Sequence, residues 1–81
     1  MRVVREIPHP QCKITVYSWN NRYLIKLEES LLEQTFKIDQ FEVTSDEELI
    51  QMLDATFIQQ ALDRFHEMGK SFYEARQRAE P

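Results

Sequence analysis

Residues 13–28 constrain the fold most, because they read as a β-hairpin whose register can be written down from the residues alone. Lys13 to Trp19 alternates in polarity, Asn20-Asn21 supplies two residues that tolerate positive φ, and Arg22 to Glu28 alternates again. A two-residue loop fixes the pairing. Trp19 then faces Arg22, Ser18 faces Tyr23, Tyr17 faces Leu24 and Val16 faces Ile25, continuing through Thr15 and Lys26, Ile14 and Leu27, to Lys13 and Glu28. One face collects Ile14, Val16, Ser18, Tyr23, Ile25 and Leu27 and reads as core. The other collects Lys13, Thr15, Tyr17, Trp19, Arg22, Leu24, Lys26 and Glu28. A slip of one residue would mix the two sets.

The flanking segments extend the sheet. Val3 to Ile7 reads as a strand that Pro8-His9-Pro10 stops, since two prolines cannot donate ladder hydrogen bonds. Leu32 to Ile38 alternates as well, with Leu32, Phe36 and Ile38 on one side; Gln34 falls on that apolar side against the pattern. Phe41 and Val43 either extend this strand or bridge to the helices. Short connections predict an antiparallel meander of three or four strands.

Near residue 44 the composition turns to helix formers. Ser45 with Glu48 three residues later is a capping box, and the acids of the first turn complement the helix dipole. Leu49, Ile50 and Leu53 share a face, and Asp54 can cap a second helix from Ala55. Ile58, Ala61, Phe65, Met68, Phe72, Ala75 and Ala79 then follow alternating steps of three and four, widened by Phe57 and Leu62. The stripe keeps phase across Gly69, which predicts one continuous or kinked helix despite a possible new start at Ser71 and Glu74. The expected fold is therefore α+β: an antiparallel three- to four-stranded β-meander followed by one or two C-terminal helices packed on one face of the sheet. It forms a single domain over residues 1–81, with residues 1–43 mainly strands and 44–79 mainly helical. The stripe is expected to pack on the sheet rather than to serve a helix–helix dimer.

Composition narrows the function classes. The 81 residues carry a net charge of −4, which disfavours general nucleic-acid binding. Charge is unevenly spread: residues 1–27 hold five bases and one acid, residues 28–54 nine acids and one base, and residues 55–81 four of each. One cysteine, Cys12, precludes an internal disulfide and fits a reducing compartment. No apolar run approaches the ~20 residues of a membrane-spanning helix, and the N-terminus has no signal-like stretch. The expected setting is cytoplasmic.

Motifs for chemistry are sparse. With Gly69 as the single glycine, no loop can cradle phosphates, and Walker A and dinucleotide fingerprints are excluded. His9 and Cys12 form an H-x-x-C spacing that offers too few ligands for structural zinc, so Cys12 reads as a small buried side chain. His66 lies beside the helical stripe and reads as a surface or boundary residue. The carboxylate groups (Glu28-Glu29, Asp46-Glu47-Glu48, and Asp63 with Glu67) are explained by turn solvation, capping and a solvated helix face. No catalytic, cofactor-binding or metal-ligating residue is assigned, and no cofactor is expected.

The candidate partner surface is the outer hairpin face, with Tyr17, Trp19, Arg22 and Leu24. Trp, Tyr and Arg dominate binding hot spots, and a few helices can cover only one face of so small a sheet. The simplest local alternative is Arg22 stacking on the Trp19 indole. The expected function is thus that of a small non-catalytic protein-interaction or self-associating domain. One alternative is a small-ligand binder or minor enzyme with a pocket between sheet and helices, lined by Cys12 or His9. A further one is a single-strand nucleic-acid module using Arg2, Arg5, Lys13, Arg22 and Lys26 with Trp19 and Tyr17 as stacking groups.

Overall fold

A computed structural model describes all of residues 1–81. Four strands, β1 (Arg2–Ile7), β2 (Lys13–Trp19), β3 (Arg22–Glu29) and β4 (Leu32–Asp39), form one antiparallel sheet in the order β1-β2-β3-β4. A 3₁₀ turn at Gln40–Glu42 leads to α1 (Asp46–Met52) and α2 (Ala55–Ala79). The class is α+β, as the patterning predicts.

The β2–β3 hairpin has the seven pairs written from the sequence, from Lys13–Glu28 to Trp19–Arg22. Asn20 and Asn21 both take positive φ, 53° and 62°, as a type I′ loop requires. Ser30 at the β3–β4 turn also has positive φ, 54°, without the tolerance of asparagine or glycine. On the other side, β1 pairs with β2 through a bulge between Val3 and Arg5, which seats Val4 against the core.

The core lies between one sheet face and both helices. Ile14, Val16, Ile25 and Leu27 from the sheet meet Leu49, Leu53, Ile58, Ala61 and Phe65 from the helical half. The caps are those the sequence offers. The Ser45 hydroxyl accepts the Glu48 N–H at 3.2 Å, and the Asp54 carboxylate accepts the Phe57 N–H at 2.8 Å. Glu48 reaches back one residue further than the motif implies. Its carboxylate accepts from the backbone N–H and the hydroxyl of Thr44, at 2.6 and 2.7 Å. Those bonds favour the ionised form and hold the Glu48 pKa below its ordinary value.

Gln34, polar on an apolar face, is answered by α2. Its amide donates to the Ala61 carbonyl at 2.8 Å and accepts from Arg64 Nε at 2.9 Å. One expectation is corrected. α2 runs unbroken through Gly69, but its stripe does not pack on the sheet over its full length. Ile58, Ala61 and Phe65 are buried and Met68 half-buried, whereas Phe72, Ala75 and Ala79 are exposed. Lengths give the reason: 25 helical residues span about 37 Å, while eight-residue strands span about 26 Å. The end of α2 projects past the sheet, and the molecule measures 51 × 26 × 18 Å.

Candidate functional site

Because cross-strand partners share a face, the register maps the uncovered side of the sheet as rows. The row nearest the Asn20-Asn21 turn holds Trp19, Arg22 and Asp39. The next runs Val3, Tyr17, Leu24 and Lys37, and the third Glu6, Thr15, Lys26 and Thr35. Lys13, Glu28 and Glu33 close the set. Neither helix packs on this side, since the core partners of both lie on the opposite face.

The four candidate residues therefore share one face, but they are unequally available. Trp19 is 50% exposed, and Val3, a neighbour of Tyr17 outside the expected patch, is similarly open. Tyr17 is half-buried. Leu24 is only 8% exposed, so it supports the patch from beneath. Arg22 does not stack on the indole: its Nε donates to Asp39 Oδ1 at 3.2 Å, along the same row. The guanidinium that does lie over aromatic rings is that of Arg64, 5.9 Å from the Phe36 centroid and 5.8 Å from that of Phe57. These two rings meet edge-to-face at 5.3 Å.

Two ion pairs lie on the outer face, Arg22 with Asp39 and Lys26 with Glu33. Lys26 Nζ sits 3.2 Å from Glu33, and that hydrogen bond raises the lysine pKa. With Arg22 and Lys26 engaged in this way, two of the five bases proposed for a nucleic-acid surface are already matched by carboxylates. Arg2 and Arg5 pair across from Ser18 and Val16, on the opposite face from Trp19. Thr15 is 1% exposed and its hydroxyl has no hydrogen-bond partner.

His9 and Cys12 come together at the β1–β2 connection. His9 Nδ1 is 3.9 Å from Cys12 Sγ and accepts the Gln11 N–H at 3.1 Å, so its lone pair is already directed to the backbone. Burial, then the nearby Glu29, pushes the Cys12 thiol pKa up, which works against a reactive thiolate. The groove there has a volume of about 490 Å³ and is bordered by Glu6, Pro8 and Lys13; only β1, β2 and their connection line it, so it is not the pocket between sheet and helices expected at His9 and Cys12. No three His, Cys, Asp or Glu side chains converge in a way that could hold a metal. His66 is exposed on α2.

A second groove, of about 580 Å³, lies between β4 and α2 and is lined by Gln34, Phe36, Asp63, Arg64 and Met68 among others. It occupies the expected position between sheet and helices, but Cys12 and His9, the expected lining, do not border it. The available signal was the polar Gln34 on an apolar face, which required a partner on the facing helix. No helix is long and apolar enough to cross a membrane. Comparison with known proteins gives no match: no family model fits the chain, and no curated protein or solved structure proved similar to it.

Proposed function

We propose that this chain is a small non-catalytic binding domain that meets another protein through the outer face of its β2–β3 hairpin. One observation carries the reading: the sheet face without a second layer is also the one that presents Trp19, with Tyr17 and Val3 beside it. Aromatic side chains supply large contact area at low entropic cost, and Arg22, held by Asp39, offers a fixed charge at the rim. Leu24 contributes by backing the patch. The single free thiol of Cys12 supports a reducing compartment such as the cytoplasm.

The test is a Trp19→Ala, Tyr17→Ala double variant, compared with the wild type for proteins that co-purify and for the circular dichroism of the fold. The variant should keep the fold and lose the partner. Retention of the same partner would refute the assignment of this face. A small-ligand role draws its support from the groove beside His9 and Cys12, and native mass spectrometry showing a bound molecule would favour it.

A further inference from the structure

The two edges of the sheet are built differently. β1 is interrupted by the bulge at Val3/Arg5 and ends at Pro8, devices that blunt an edge against pairing. β4 has eight residues, no proline, no glycine and no bulge, and it pairs with β3 in unbroken register from Leu32 to Asp39. Glu29 and Leu32 flank the two-residue β3–β4 turn and form its hydrogen-bonded closing pair. Alternation then directs the N–H and C=O groups of Gln34, Phe36 and Ile38 to β3, and those of Glu33, Thr35 and Lys37 outward.

We propose that β4 is the interface for a second copy of this chain, pairing antiparallel with the β4 of that copy about a two-fold axis at Thr35. The outward-facing groups then meet in phase, and about six inter-chain hydrogen bonds form across the three pairs centred on the axis. The charges select this register. Glu33 of each chain falls opposite Lys37 of the other, twice by symmetry. Moving the axis by one residue toward Phe36 sets Glu33 against Asp39; moving it toward Gln34 leaves Lys37 opposite Leu31. In the chosen register Glu33, already 3.2 Å from Lys26 of its own chain, becomes the centre of a Lys–Glu–Lys arrangement. On the helix-bearing face Leu32 meets Ile38, and Phe36, 37% exposed in the single chain, meets Gln34. The 580 Å³ groove beside β4 provides room for these side chains under the flank of α2.

Sedimentation equilibrium on the full chain, from about 1 μM to about 1 mM, tests this. The wild type should form a concentration-dependent dimer. Thr35→Pro removes an outward N–H at a position where an edge tolerates proline, and it should give a monomer with an unchanged circular dichroism spectrum. Lys37→Glu and Glu33→Lys should each raise the dimer dissociation constant by about ten-fold or more, because each creates two like-charge pairs. An equimolar mixture of these two variants should recover dimerisation as the mixed species, in which both pairs are again of opposite sign. Trp19→Ala should leave the dimer intact, which separates this edge from the hairpin face. A wild-type monomer throughout, no recovery on mixing, or loss of the dimer in Trp19→Ala would overturn the proposal. If Thr35→Pro fails to fold, the mixing experiment decides alone.

Discussion

On the helix-bearing face of the sheet, Ile14, Val16 and Leu27 are sealed beneath Phe65, Ala61 and Leu49; on the opposite face Thr15 and Leu24 reach comparable burial with no layer above them. The first set is covered by secondary structure. The second is covered by neighbours on its own face, with Glu6 and Lys26 flanking Thr15 and Tyr17 beside Leu24. Long side chains can shelter apolar surface along their stems while keeping their heads in water. The two arrangements differ in what a mutation should do. A covering helix makes a site costly to empty, whereas a cover of side chains leaves the outermost residue free to contact something else.

The largest expected effect lies under the helices. Phe65→Ala should cost about 3–5 kcal/mol in urea unfolding, since it leaves a cavity at the centre of the core. A loss near 1 kcal/mol would mean that α2 holds the sheet less firmly than its burial implies. The opposite face supplies a change of opposite sign. Thr15→Val keeps the shape and removes a buried hydroxyl without a partner, so stability should rise by about 1–3 kcal/mol. A destabilised variant would show that the hydroxyl is served by water and that this face is wetter than the first.

The cap of α1 tests how the covering layer is held in place. Ser45→Ala should cost about 1 kcal/mol. Glu48 adds a pH dependence: its folded pKa lies below the unfolded value of about 4.5, so its contribution is present above that value and fades as pH falls through the lower folded one. The urea midpoints of wild type and Glu48→Gln, followed from about pH 6 to about pH 3, should converge on the acid side. The smallest expected effect is that of Trp19→Ala, within about 1 kcal/mol of wild type, the range of a cross-strand pair on a face with no layer above it. A loss of 2 kcal/mol or more, roughly the scale of a buried side chain, would erase the distinction between the faces.

How much of this was legible in the sequence depends on how local each signal is. The β2–β3 register was readable because period-two alternation and an Asn-Asn loop both act within sixteen residues, and each excludes a slip. The caps at Ser45 and Asp54 were readable for the same reason. The length over which α2 is supported was not, since a stripe gives the phase of a helix but not the length of the sheet beneath it. The partner of Arg22 was hidden because Asp39 lies at the far end of the next strand. Its register passes through the Ser30-Leu31 turn, where a serine holds positive φ without a residue type that announces it. For the contact face, the side to which each residue points was legible from alternation. That Leu24 is sheltered while Trp19 stays open depends on side chains of three strands, including Val3 beyond the bulge.

The central claim is that the uncovered hairpin face serves contact rather than stability. Its most direct test is quantitative co-purification of wild type against the Trp19→Ala, Tyr17→Ala variant under matched native conditions. The account predicts that a protein retained stoichiometrically by the wild type is lost from a variant that keeps the circular dichroism of the native fold. The same partner held equally well by both proteins would contradict it.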